Sequence, residues 1–217
     1  MKAIQLCISV IVIAGFFSCA APPADEPEVE VTPIPRLAKY FPEISASGDT
    51  TGYFHLPTDQ FVNQYGDTID TKQAQGKISV TQFFFSSCEG ICPIMSGNMS
   101  SVQKAFAGNT EVRLFSFSVD PERDSVPALK KYAERFHCDS LQWMLFTGEK
   151  KKIYDHARYG YRLPAIEPGD GGEEDFIHSD MLVLVDRESI IRGYYVGTDT
   201  AQVRMLIEDV NTLLKQK

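Results

Sequence analysis

From residue 78 onward, apolar runs of strand length alternate with segments whose apolar positions recur every three to four residues. Gly76-Lys77 introduces Ile78-Ser79-Val80-Thr81-Gln82-Phe83-Phe84-Phe85, a β-branched and aromatic run that predicts a strand ending at Ser86-Ser87-Cys88. Pro93 follows Cys92, and proline suits the first turn of a helix, where its missing N–H has no partner to lose. Ile94, Met95, Met99, Val102 and Phe106 then hold a helical period until Gly108-Asn109 stops it. The same reading predicts a strand over residues 112–119 ending at Asp120-Pro121, a helix over 126–136, a strand over 141–146 and a helix over 149–159. Past an acidic, glycine-rich loop at 167–175, two apolar runs, 181–185 and 191–196, flank Asp186-Arg187-Glu188-Ser189 and predict a hairpin. A helix over 200–214 closes the chain.

This order predicts an α/β, thioredoxin-like architecture, with a central mixed sheet flanked by helices. Residues 61–69, around Gln64-Tyr65-Gly66-Asp67, predict an added N-terminal hairpin. Residues 1–45 follow neither period. Lys2 precedes an apolar run over residues 4–17 that is short for a membrane span and matches the core of a secretory signal. Phe17-Ser18-Cys19-Ala20 resembles the lipobox of bacterial lipoproteins, in which the cysteine is acylated, although Phe16 stands where leucine is usual. The proline-rich, acidic stretch that follows reads as an extended tether. The expected division is a signal or lipoprotein segment at 1–19, a disordered tether at 20–45 and one domain at 46–217. The domain is then expected in the cell envelope, anchored to the membrane and facing the periplasm or outer side.

Composition narrows the chemistry. The 217 residues are 43% hydrophobic and 23% charged, which is globular, and a formal net charge of −8 disfavours nucleic acid. With Cys7 and Cys19 assigned to the signal segment, Cys88, Cys92 and Cys138 remain, an odd count that does not suit a disulfide scaffold. Cys138 reads as a half-buried small hydrophobe, and Met95 and Met99 as core. His55, His137 and His156 have no cysteine-aligned context.

Cys88 and Cys92 lie where a strand feeds a helix, the end of an open α/β sheet at which ligands commonly bind. A helix N-terminus favours thiolate over thiol, and thiolate is both a nucleophile and a soft metal ligand. The pair alone therefore leaves redox and metal chemistry open. Thiol oxidoreductases of this fold generally use C-x2-C, whereas C-x3-C lets both sulfurs face one ion, and thiolates suit Cu(I) with Zn(II) as competitor. Phe176-Ile177-His178-Ser179-Asp180 precedes the first hairpin strand, where thioredoxins carry a cis-proline against their disulfide. Here there is none, so His178 is placed to face the cysteines, and its nitrogen would let one site hold Cu(II) as well as Cu(I). Asp120 should border the same end of the sheet, while Asp124 or Ser125 is placed to cap the next helix. A mobile acidic loop at 167–175 would let His178 swing on and off a metal.

Several stretches in order resemble the Sco/SenC family of copper-binding proteins, over residues 56–214. They are Asn63-Gln64-Tyr65-Gly66, Phe83-Phe84-Phe85-Ser86-Ser87-Cys88 through Cys92-Pro93 to Met99, Ser118-Val119-Asp120-Pro121-Glu122-Arg123-Asp124, residues 143–148, and His178-Ser179. Ser86 and Ser87 stand where Phe-Thr or Tyr-Thr is common, and Phe146 where leucine is usual; none of these touches a ligand. The resemblance implies Cys88, Cys92 and His178 as copper ligands, for Cu(I) or Cu(II), and no catalytic residue in the ordinary sense. It implies a metallochaperone for the copper A centre of cytochrome c oxidase, whose partners are the oxidase's copper-binding subunit and a copper donor protein. The alternative is a thiol-disulfide reductase with Cys88 and Cys92 as its redox pair. A peroxidase-like enzyme fits less well, since no separate peroxidatic cysteine motif occurs.

Overall fold

The structure is a computed structural model that describes residues 35–163 and 176–216. The signal segment with Cys19, the first part of the tether and the acidic loop 167–175 lie outside the described residues. The chain runs through β1 (Pro42–Ile44), β2 (Thr50–Tyr53), β3 (Gln60–Asn63), β4 (Thr68–Asp70), β5 (Ile78–Phe84), α1 (Ile91–Ala105), β6 (Val112–Ser118), α2 (Val126–Arg135) and β7 (Trp143–Thr147). It continues through α3 (Lys150–Asp155), β8 (Met181–Val185), β9 (Ile191–Val196) and α4 (Thr200–Lys215).

Seven strands form one mixed sheet in the order β4-β3-β7-β6-β5-β8-β9. β5, β6 and β7 are parallel, while β8 runs antiparallel to β5. Every residue of β5 is buried, the polar Ser79, Thr81 and Gln82 as well as Ile78, Val80, Phe83 and Phe84, as befits a strand covered on both faces. Its side chains nevertheless divide by the two-residue period. Ile78, Val80 and Phe84 enter a core with Met95, Met99 and Val102 of α1 and with residues of α2 and α4. Phe83 instead joins Phe115, Phe117, Phe146 and Tyr154 on the α3 face. Fully burying one such side chain contributes roughly 1.5–3 kcal/mol before entropy is subtracted. The sheet is thus packed on both faces.

The expected hairpin at 61–69 is present, with Phe61 opposite Ile69. Asn63 Oδ1 accepts the N–H groups of Tyr65 and Asp67 at 2.8 and 2.9 Å, and Gly66 supplies the positive φ of 88° that the turn needs. Rather than standing apart, this hairpin joins the main sheet through β3 and β7. A separate two-stranded sheet, β1-β2, precedes it. Residues 36–44, read from the sequence as tether, are bonded to the domain. Arg36 Nε reaches Asp209 Oδ1 at 2.7 Å, the Arg192 guanidinium donates to Leu37 O at 2.6 and 3.0 Å, and Tyr40 N donates to Ile191 O at 3.0 Å. The helical span expected at 149–159 is α-helical only to Asp155 and widens into a π turn over His156–Gly160. The widened turn sends the buried Tyr161 inward, and its hydroxyl accepts from Thr81 Oγ1 at 2.9 Å.

Candidate metal centre

β5 delivers the chain to the cysteines, and its ladder closes with Val119 N donating to Phe84 O at 2.8 Å. The loop then turns, with Cys88 N donating to Phe85 O at 3.2 Å. Gly90 holds the N-cap position of α1, which begins at Ile91, so Cys92 and Pro93 lie in the first helical turn, as the sequence predicts for the proline, and Cys88 lies just outside it. Proline inside the first turn is compatible with this start, since no backbone acceptor is available to its position. Cys92 is 3% exposed and Cys88 half-buried; both are free thiols.

The two thiols differ electrostatically. Partial burial pushes the Cys88 thiol up, but the N–H groups of Cys92, Gly90 and Ile91 and the Cys92 thiol all donate to its sulfur and together bring it below the usual thiol range. Burial pushes the Cys92 thiol up to about 12, assisted by the neighbouring Cys88 sulfur and opposed by a backbone bond at Phe85. The charged form is thus favoured on the outer sulfur and disfavoured on the inner one.

His178 approaches from the other side. Its segment has no regular structure but is fixed just beyond, where Gly197 N donates to Asp180 O at 2.6 Å and Asn98 Nδ2 donates to Gly197 O at 2.7 Å. The His178 ring lies 4.7 Å from that of Phe176, which meets Phe85 edge-on at 5.1 Å. Phe85, Cys88, Ile91, Cys92, Ile177 and His178 line one pocket of about 180 Å³. The tertiary structure therefore brings the three predicted residues to a common cavity. Its exposed imidazole stands at the mouth, and among the described residues no three His, Cys, Asp or Glu side chains converge closely enough to hold an ion as they stand. Two soft sulfurs and one imidazole are a donor set that suits a soft or borderline metal.

The remaining candidates are elsewhere or otherwise engaged. Asp120 pairs with the exposed Arg123 at 3.5 Å. Met95 and Met99 are fully buried core residues. Cys138 packs at the edge of the α1-side core, and burial pushes its thiol up to about 12. His55 is exposed, with Nδ1 2.6 Å from Glu188 O, and His137 is a helix-end residue at φ 54°. Of the two cap candidates the sequence offered, Ser125 holds the N-cap position of α2, and the Asp124 side chain turns inward to Ser86 and Ser118, a role the sequence reading did not assign it. Its only sequence signal is a carboxylate following a strand whose neighbour ends in serines, which is too common to single out.

The SCO1/SenC family model matches residues 50–215. The SCO1 protein homolog of Bacillus subtilis (strain 168) is 32% identical over 154 residues, covering 70% of this chain and 79% of that protein. A SCO1/SenC family lipoprotein from Bacillus anthracis str. Ames superposes with a TM-score of 0.65 at 31% identity, covering 75% of this chain and 96% of that one. BsSco, a member of the Sco family of cytochrome c oxidase assembly proteins in which a disulfide switch was identified, gives 0.64 at 30% identity, covering 76% and 95%. Yeast Sco1 with copper bound gives 0.55 at 25% identity, covering 75% and 95%. With the family model spanning the chain from β2 to α4, both cysteines and His178 included, this chain belongs to the SCO1/SenC family.

Proposed function

We propose that this protein is a copper metallochaperone, which holds copper on Cys88, Cys92 and His178 and delivers it to the copper A centre of cytochrome c oxidase. The observation that carries the reading is the single pocket lined by two free thiols and an imidazole at the carboxyl end of the central strand. The copper-bound yeast relative and the oxidase-assembly role named for BsSco support the same cargo and destination. Copper is a passenger here. Cys92, nearly enclosed, would hold it from below; Cys88, half-exposed and with its thiol pKa lowered, is the sulfur that a partner's ligand would reach. His178 would move from the pocket mouth to complete the set, and its imidazole extends the site's tolerance from Cu(I) to Cu(II). Ligand exchange with a copper donor protein and then with the oxidase's copper-binding subunit would start at Cys88 and His178. The dithiol must be reduced to load, so metal and disulfide exclude one another. Acylation of Cys19 and a tether would keep the domain at the membrane, facing the periplasm or outer side.

Titration of the reduced protein with Cu(II) and with Cu(I) tests this. We expect about one copper per chain and a Cu(II)–thiolate absorption band that is altered in His178→Ala. Weak copper binding, an indifferent His178→Ala and rapid disulfide exchange with a reductant would together sink the chaperone reading. Those same results would favour a thiol-disulfide reductase that keeps the oxidase's copper-ligand cysteines reduced. The specific observation behind that second reading is the asymmetry of the pair, an outer sulfur of lowered pKa backed by a buried thiol.

A further inference from the structure

Behind the cysteine loop lies a carboxylate that the thiol chemistry does not use. Asp124 is fully buried. Among the described residues its side-chain partners are the Ser86 backbone N–H at 2.9 Å, the Ser86 hydroxyl, and the Ser118 hydroxyl at 2.5 Å. A buried carboxyl group is costly unless its oxygens are satisfied, and here both accept hydrogen bonds from the cysteine loop and from the end of β6. Capping of α2 is not its role, because Ser125 occupies the cap position and the Asp124 carboxylate accepts from Ser86 and Ser118 instead.

We propose that Asp124 is a positioning residue for the dithiol, its carboxylate clamping Ser86, the root of the Cys88 loop, against the ends of β6 and α2. The loop has two ends. Its C-terminal end is fixed by α1, in whose first turn Cys92 sits. At the N-terminal end the β5 ladder has closed at Phe84, two residues before Ser86 and four before Cys88. The clamp takes over there: Ser86 presents both its N–H and its hydroxyl to the two oxygens of one carboxylate. The carboxylate is itself held, because Asp124 N donates to Asp120 O at 2.9 Å and Asp120 N donates to Ser118 Oγ at 3.1 Å. An asparagine substitutes poorly, because its single amide oxygen replaces two acceptors and its NH2 is met only if a serine hydroxyl gives up donating in order to accept. The approach of Cys88 to Cys92 is thus set by a residue that touches neither sulfur. This bears on thiol geometry alone and holds whether the pair carries copper or electrons.

Ser86→Ala and Ser118→Ala each delete one hydroxyl from the same carboxylate, but only Ser86 belongs to the cysteine loop. The readout is the metal-free equilibrium in which protein dithiol and cyclic oxidised dithiothreitol give protein disulfide and dithiothreitol, two electrons and two protons passing together. It is combined with hydrogen exchange of the segment 85–92 and with the melting temperature. We expect Ser86→Ala to shift this equilibrium toward the dithiol by about threefold or more, because a loosened Cys88 has a lower effective concentration at Cys92. Exchange of the segment should quicken, Ser86→Thr should restore both, and Ser118→Ala should stay within about twofold of the parent even where its melting temperature falls as far. Asp124→Asn should exceed Ser86→Ala; if it does not fold, the serine pair still decides. A shift in Ser86→Ala no larger than that in Ser118→Ala overturns the proposal, and no copper is present to confound the result.

Discussion

Single side chains in this protein are read by what surrounds them more than by what they are. Cys88 and Cys92 are the same residue four positions apart, yet three N–H groups and a thiol favour charge on the first, while burial forbids it on the second. Histidine divides in the same way. His178 is exposed at a pocket of sulfurs, whereas His156 is nearly enclosed by aromatic rings, with Phe61, Phe117 and Tyr161 at 5.1–5.2 Å. Among the described residues its Nε2 has no hydrogen-bond partner, and burial pushes the imidazole down to about 4, so it is neutral in the folded protein at neutral pH. The unfolded chain takes up that proton below its ordinary value of 6.5. The contribution of His156 is therefore intact above pH 6.5, is lost as pH falls toward about 4, and is constant below that. The loss approaches ~3 kcal/mol. Denaturant unfolding as a function of pH should show this as a difference between the parent and His156→Leu, which has no such proton to bind.

At the scale of elements, the site is an intersection of three pieces that the chain makes far apart. α1 supplies the N–H groups around Cys88, β5 carries the loop to it, and the segment before β8 brings His178. Gly197 is the point at which two of these meet. A Cβ there would come within 3.0 Å of Asp180 O and of Leu182 Cγ, and within 3.2 Å of Met95 Cε. Gly197 also bonds Asp180 on one side and Asn98 of α1 on the other. Gly197→Ala should cost about 1–3 kcal/mol, as overpacking does in a filled interior. Because the strain falls on Asp180, two residues from His178, the variant should also alter the Cu(II)–thiolate band under conditions where it remains folded. Thermal melts and the absorption spectrum check the two parts separately.

For the whole molecule, the segment just after residue 34 is part of the fold. Leu37 packs at the α1-side core and Tyr40 and Phe41 at the other, while Arg36 pairs with the buried Asp209. A chain beginning at Ala46 should melt roughly 5 °C or more below one beginning at Pro35, as calorimetry would show, since it forfeits contacts to both faces of the sheet. The sequence read this stretch as tether because arginine, lysine and tyrosine on irregular backbone carry no period; their partners lie some 150 or more residues away. Strands and helices were legible because burial on one or two faces imposes a period on the residues themselves, and the positions of Cys88 and Cys92 follow from the boundary between two such periods. The family likeness also resides in local runs and was visible there. Tertiary structure alone decided that the hairpin at 61–69 joins the main sheet and that the third helix ends in a π turn. It alone also decided that Asp124 turns to the cysteine loop instead of the helix beside it. Each of these depends on which distant donor, acceptor or sheet edge is within reach, and distance through space leaves no period along the chain. So it is with the candidate site: its residue types and spacing are written locally, but their meeting at one pocket is a property of the sheet.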